Sequence, residues 1–393
     1  MMKQFGKKII QRLLHKTDAK STTQAPIDCP KPLSITHSHL LPVNYSPSYI
    51  NRLPVELLQQ IFLLIVNDIT DYPSIFLVED TTISVNFTTP PLVFTRVCCL
   101  WRVIAHSTPG VWSRIQVVFP GRAGPLKPFF PSLLQAWLAR SGTQPLTLRI
   151  VSNWHSRQHH FPRHMIRYFS EADSQLFKIL LSESQRWECV ALMVPMHEWG
   201  HNFDTPQLRT LQCCLPDLSR FNAPNLSRLC TRILYSVDTN TQFNRTPTYN
   251  NICHLHLPEA SAHTMRKTLA MFSHLETIVV DVIISHYGDI SNPITNSCLQ
   301  SMTLPLAPDS LHALIEVFDG LQLPKLQRLT VVGKLNQAGV DCIMAVLAAA
   351  ACNVQVIDLH RITPLGQVDV DIVELLLSED GTTIWEALRC PVP

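Results

Sequence analysis

Between residues 187 and 359 the chain writes one six-residue phrase eight times: apolar, two variable residues, apolar, one variable residue, apolar. The copies are "WECVAL" (187–192), "LRTLQC" (208–213), "LSRLCT" (226–231), "ICHLHL" (252–257), "LETIVV" (275–280), "LQSMTL" (299–304), "LQRLTV" (326–331) and "VQVIDL" (354–359). Their starts lie 21, 18, 26, 23, 24, 27 and 28 residues apart. The last two apolar positions of each phrase are two residues apart, the spacing that puts both side chains on one face of a strand. A strand recurring at such intervals belongs to a unit that cannot bury its apolar side alone and must stack on its neighbours. That requirement constrains the fold more than any other feature of the sequence.

Several intervals carry helix-like stretches: "SAHTMRKTLAMF" (261–272), "PDSLHALIEVFDG" (308–320) and "NQAGVDCIMAVLAAAA" (336–351). Strand, turn and helix therefore recur in that order, and strands joined through a helical crossover run parallel. "PLTLRI" (145–150) adds one more strand to the same face. The spacing is that of leucine-rich repeats, ~20–29 residues. The usual asparagine after the third apolar residue is missing, with Pro195, Pro216 and Ala260 in its place, so the array is irregular and "LSRLCT" is its weakest copy. We expect an α/β leucine-rich-repeat solenoid over residues 118–393, a parallel β-sheet with helices on its convex side.

The chain ahead of the repeats reads differently. "INRLPVELLQQIFLLIV" (50–66) predicts a helix starting at Pro54, where proline is tolerated as the first helical residue. Val55, Leu58, Ile61, Phe62 and Ile65 form one stripe, and Leu57 and Leu64 extend a second. After a polar-leaning insertion at 67–91, "LVFTRVCCLWRVIAHSTPGVW" (92–112) predicts a second helix, apolar nearly all round through Leu92, Val93, Val97, Cys98, Leu100, Trp101 and Ile104. A turn with Pro109 and Trp112 closes this small all-α domain, residues 50–117. A unit of that size buries only ~60% of its unfolded surface. Helices apolar on several faces exceed what it can hide, so the following domain or another protein must cover the remainder. Residues 1–49 read as a basic N-terminal helix, solvated, and a Ser/Thr/Pro-rich linker.

Composition narrows the function. Hydrophobic residues make up 46% and charged residues 16%, enough for a sizeable core. A net charge of +2 gives no field that favours a polyanion, so no nucleic-acid partner is expected. The longest apolar run, "CIMAVLAAAAC" (342–352), is about half of the ~20 residues a membrane span needs, so no membrane partner is expected. The twelve cysteines contain no C-x-x-C and sit in apolar segments as small hydrophobes. They suit a reducing compartment, the cytoplasm or nucleus.

One motif points to chemistry. "HEWGH" (197–201) has the spacing of a zinc-protease helix, two histidines four apart with a glutamate to activate water. A working site needs a stable helix and a third ligand. Here Pro195 precedes, Gly200 weakens the centre, Pro206 ends the stretch, and Asp204 and Gln207 stand where a metzincin has glycine and histidine. The motif reads as a coincidence of a loop between two repeat strands. "HSRQHHFPRH", with His155, His159, His160 and His164, is broken by Pro162 and reads as a surface loop. We expect no catalytic residue, no metal and no cofactor.

Taken together, the two halves resemble the F-box/leucine-rich-repeat proteins abundant in mushroom-forming fungi. "LPVELLQQIFLLI" is similar to the first F-box helix, which opens Leu-Pro-x-Glu-Leu, and "RVCCLWRVIAHSTPGVWSRI" to the Val-Cys-x-x-Trp-Arg segment with its Pro-x-x-Trp turn. "AWLARSGTQPLTLRI" and "SQRWECVALMVP" are similar to phrases that follow the F-box in such proteins, and the likeness covers roughly residues 50 to 360. The insertion at 67–91 is longer than in the compact F-box, and Cys99 stands where a basic residue is common.

The resemblance implies the substrate-recognition subunit of a cullin-based ubiquitin ligase. Its F-box would dock on a Skp-type adaptor, and through it a cullin scaffold, by Leu53, Pro54, Leu57, Leu58, Ile61, Phe62, Val97, Cys98 and Trp101, with Trp101 as anchor. Its repeats would bind an unknown protein substrate on the concave face through Arg228, Arg232, His254, His256, Asp281, Arg328, Asp358 and His360. The alternatives are a repeat scaffold without a ligase role and, last, a zinc metalloprotease using "HEWGH".

Overall fold

Pro54 has no N–H to offer a helix, but its carbonyl accepts from the amides of Leu57 and Leu58, and helix α1 (Val55–Asp68) starts at the next residue. The computed structural model describes residues 49–68, 72–78, 83–121, 126–152, 170–194, 202–232, 251–284, 293–306 and 311–333, then 343, 345–347, 350, 352, 354 and 356–360. The expected N-terminal helix, "HEWGH" and "HSRQHHFPRH" lie outside these residues. Leu58, Phe62, Ile65 and Val66 form the buried stripe of α1, at the spacing of one helical face. Val55 and Leu57 point outward instead.

The insertion contains a short antiparallel hairpin, β1 (Phe76–Val78) and β2 (Ile83–Val85), which the sequence reading did not anticipate. The predicted second helix is two: α2 (Phe94–Val97) and α3 (Cys99–His106), separated at Cys98, which is fully extended. The Cys98 sulfur accepts a hydrogen bond from the Trp101 amide at 3.5 Å, so this residue caps α3. Phe62 stacks on Phe94 at 4.3 Å, and the Trp101 ring lies 4.9 Å from Phe62. These rings are the core of the helical unit.

The next strand, β3 (Arg114–Phe119), crosses the expected domain boundary at 117 and enters the main sheet. It is followed by α4 (Phe129–Arg140), β4 (Leu146–Ser152), α5 (Glu171–Leu181) and β5 (Trp187–Met193). The chain continues through β6 (Phe203–Asp204), β7 (Thr210–Cys214), β8 (Phe221–Asn222), β9 (Arg228–Arg232) and β10 (His254–Leu257). Helix α6 (Ala262–Met271) leads to β11 (Thr277–Val280), β12 (Ile294–Thr295) and β13 (Ser301–Leu306). Helix α7 (Leu311–Phe318) leads to β14 (Leu321–Gln322), β15 (Arg328–Gly333) and β16 (Val356–His360).

Ten of these strands form one parallel sheet in the order β3, β4, β5, β7, β9, β10, β11, β13, β15, β16, so spatial order follows chain order. β6 with β8, and β12 with β14, make two short parallel ladders beside it. From β7 to β13 each strand of the main sheet is tied to the last by the same backbone device, in which one carbonyl accepts two amides. Arg209 O receives Ser227 and Arg228, Ser227 O receives Cys253 and His254, Cys253 O receives Glu276 and Thr277, and Glu276 O receives Gln300 and Ser301. Asparagine side chains help, though not at the consensus position: Asn225 Nδ2 donates to Pro206 O at 2.7 Å, and Asn251 Nδ2 to Pro224 O.

Alternation along the strands buries one face against the helices. Leu211, Leu229, Leu255, Ile278, Met302 and Leu329, aligned across the sheet, share one hydrophobic core with Leu176 and Phe177 of α5 and Met265 and Leu269 of α6. The helical unit belongs to that core too. Trp112 Nε1 donates to Ala105 O of α3 at 2.7 Å, and Trp137 Nε1 of α4 donates to Trp112 O at 2.9 Å. Arg114 of β3 donates from Nη1 to the carbonyls of Val66 (3.4 Å) and Asn67 (3.0 Å), satisfying the C-terminal end of α1. The free edge of β3 is closed by residues 73–75, through Gln116 N to Pro73 O and Ile75 N to Gln116 O.

Candidate functional site

Two surfaces follow from this arrangement. The first is on the helical unit. Of the nine expected adaptor contacts, Leu58 and Phe62 are 0% exposed and Trp101 is 2% exposed, so these three fill the molecule's own core. This corrects the expectation of a docking anchor at Trp101: its ring is already covered by Phe62 and Phe94. Leu53, Ile61 and Cys98 are half-buried against the same core, and Cys98 is occupied as a helix cap. Pro54, Leu57 and Val97 remain exposed.

The outward apolar set is larger than those three. Leu57 (51%), Leu64 (57%), Leu100 (37%), Val103 (65%) and Val97 (37%) are all exposed. Leu57 and Leu64 are seven residues apart on α1, hence on one side of that helix, and Leu100 and Val103 are three apart on α3. Arg96 and Arg102 add exposed positive charge beside them, the Arg102 Nε donating to Thr95 O at 2.8 Å. Sequence reasoning recorded the Leu57/Leu64 stripe but did not choose Leu64, Leu100 or Val103 as docking residues. The helical spacing of 57 and 64 was the available signal.

The second surface is the sheet face away from the helices. The register places residues 114, 147, 189, 210, 228, 254, 277, 301, 328 and 356 in one row and 116, 149, 191, 212, 230, 256, 279, 303, 330 and 358 in the next. All eight residues expected to meet a target lie in these rows or one step beyond. Arg228, His254 and Arg328 are half-buried in the first row, His256 is buried in the second, and Asp281 is exposed just past β11. Arg232 and His360 take backbone positions in register with Cys214 and Val332, and Asp358 one opposite Thr330. For Arg232, Asp358 and His360 the described residues settle the strand position only.

The same rows hold residues that sequence reasoning passed over. Arg149 (8% exposed), Gln212 (7%), Cys230 (1%) and Thr303 (4%) share the face. Arg149 Nε, Gln212 Oε1 and Thr303 Oγ1 are buried without a hydrogen-bond partner. Buried polar atoms are normally satisfied, so this face carries unspent hydrogen-bonding capacity. The signal was the strand alternation that selected Arg228 and Arg232, since residue 230 lies between them on the same side. At the β3 end, the Arg114 guanidinium lies 4.4 Å from the Tyr72 ring centre, and burial pushes the Tyr72 phenol well above its ordinary range.

Of the predicted residues, His256 pairs with Asp281. Its Nε2 lies 2.8 Å from Asp281 Oδ2, and its Nδ1 lies 3.4 Å from Cys230 Sγ. Burial pulls the imidazole pKa down, but the Cys230 sulfur and the Asp281 carboxylate outweigh it and push it up to about 10. Among the described residues no group of three His, Cys, Asp or Glu side chains is arranged to hold a metal ion, and no helix is long and apolar enough to cross a membrane. No family model matches the chain, and no curated protein matches it.

Proposed function

We propose that this protein is a non-catalytic substrate receptor of a cullin-based ubiquitin ligase, acting in the cytoplasm or nucleus. Its helical unit is an F-box-like domain that docks on a Skp-type adaptor, and its sheet is an irregular leucine-rich-repeat solenoid that presents a target protein. The chemistry belongs to partner subunits, and the receptor works by raising the local concentration of the target.

The observation that carries the reading is the exposed apolar set Leu57, Leu64, Val97, Leu100 and Val103 on helices whose own core is already complete. Apolar side chains beyond those a core needs mark a surface that another protein covers. The in-order parallel sheet, with one strand per repeat phrase, supports the solenoid half. The docking contacts are accordingly Pro54, Leu57, Leu64, Val97, Leu100 and Val103, and Leu58, Phe62 and Trp101 act from beneath by fixing the helices.

Co-purification tests it. A Skp-type adaptor should accompany the intact full-length chain and be lost with Leu57→Asp plus Val103→Asp. A repeat scaffold without ligase function is the second reading, favoured by the burial of three of the nine expected contacts. Intact, folded protein that retains no adaptor would select it.

A further inference from the structure

Cys230 of β9, His256 of β10 and Asp281, the residue that follows β11, stand in a line across the sheet. The parallel ladder sets them there: His256 is in register with Cys230, and the Asp281 amide donates to Leu257 O at 3.1 Å, carrying the carboxylate to the end of His256's own strand. The imidazole bridges sulfur and carboxylate, with Nδ1 toward the thiol at 3.4 Å and Nε2 toward Asp281 at 2.8 Å. Cys230 is 1% and His256 5% exposed, while the Asp281 side chain is 35% exposed. A buried imidazole would ordinarily be neutral. Here the contact between Nδ1 and Sγ lets the two side chains share one proton, and a thiol that gives its proton to a neighbouring imidazole becomes a nucleophile. Gln212, in register with Cys230 on the other side, is 7% exposed and its Oε1 has no partner.

The other two buried thiols differ. Cys189 accepts a hydrogen bond from Thr210, and Cys213 sits near Asp217. Burial pushes Cys189 up to about 12 and Cys213 well above the usual thiol range. Both are inert by the ordinary rule for buried cysteine. Position on the sheet, not burial, separates Cys230 from them.

We propose that Cys230 is a reactive thiol, activated by the His256–Asp281 pair, and that its electrophile is a small uncharged hydroperoxide. At 1% exposure only a reagent close to water in size reaches the sulfur, which departs from exposed redox thiols and excludes bulky electrophiles. With the shared proton on His256 Nδ1, the Cys230 sulfur attacks one peroxide oxygen. The S–O bond forms and the O–O bond breaks, the sulfur is oxidised to sulfenic acid, and the peroxide is reduced. The hydroxide or alkoxide that leaves takes the proton from His256 Nδ1, giving water or alcohol and a neutral imidazole. Asp281 is a positioning residue that holds the ring and its charge. This inference does not depend on ligase function.

The test treats folded full-length protein with hydrogen peroxide, traps sulfenic acid with a dimedone-type reagent after rapid unfolding, and quantifies each cysteine by mass spectrometry. Cys230 should be oxidised at least about tenfold faster than Cys189 or Cys213 in the same molecule. His256→Gln should remove that advantage. Asp281→Asn, which keeps the side-chain shape, should reduce it without changing the rates at Cys189 and Cys213. If a variant unfolds, all buried thiols accelerate together, and the ratio in the native protein then decides alone. Native Cys230 reacting no faster than Cys189 and Cys213 overturns the proposal.

Discussion

His256 Nε2 and Asp281 Oδ2 are 2.8 Å apart, linking β10 to the residue that follows β11 on the face turned away from the helices. The Cys230 sulfur and this carboxylate together raise the pKa of a histidine that is only 5% exposed. The charged and titratable groups facing it are Cys230 and Arg228 on β9, His254 on its own strand and Asp281 itself.

A pH dependence of stability follows. The folded His256 pKa, about 10, lies above the unfolded value of 6.5, so the folded state binds the proton more tightly. The contribution is fully present below about pH 6.5, declines as pH rises through the window to about 10, and is absent above it. It is worth at most on the order of 5 kcal/mol. Urea unfolding between pH 6 and 10 should show this decline in the native protein, and His256→Gln should flatten it.

Trp101→Ala should destabilise by about 3–5 kcal/mol, because it empties a site packed by Phe62 and Phe94. Val103→Ala, at 65% exposure, should change stability by less than about 0.5 kcal/mol. Thermal unfolding of the two variants distinguishes core from surface on neighbouring positions of one helix.

Arg114→Ala should cost about 1–2 kcal/mol, since it strips the Val66 and Asn67 carbonyls of their donor and removes the cation over Tyr72. Hydrogen exchange should localise the loss to the last turn of α1. Protection of β9 and β10 should be unchanged.

Ser170 and Asp173 form a reciprocal capping box at the start of α5, and Asp173 Oδ1 also accepts from Gly121 N at 3.0 Å. Ser170→Ala should therefore cost about 1 kcal/mol, measured as a shift in the urea midpoint with an unchanged slope.

The repeat phrase located eight strands of the main sheet, from β5 through β16, and "PLTLRI" located β4, because a six-residue apolar rhythm demands a strand and its interval demands a stacked neighbour. β3 was missed because "RIQVVF" has its apolar residues at 115, 117 and 119 without the leading leucine, and it was therefore grouped with the helices before it. The predicted helix at 92–112 broke at Cys98, where a local thiol cap replaced continuation of the backbone ladder. Trp101 illustrates a general limit: an apolar residue on a helix apolar all round carries no mark of which side its neighbours occupy. Only the stack of Phe62 and Phe94 decides it. On the sheet the alternation named the face correctly, while the value of Cys230 depended on His256 arriving beside it from 26 residues away.

The most direct measurement of the central claim is calorimetric titration of purified full-length protein with a purified Skp-type adaptor. Saturable one-to-one binding is predicted, weakened at least about tenfold by Leu57→Asp and by Val103→Asp and little changed by Trp101→Phe, which keeps the ring stack. No binding by folded protein, or binding indifferent to both surface substitutions, would contradict the account.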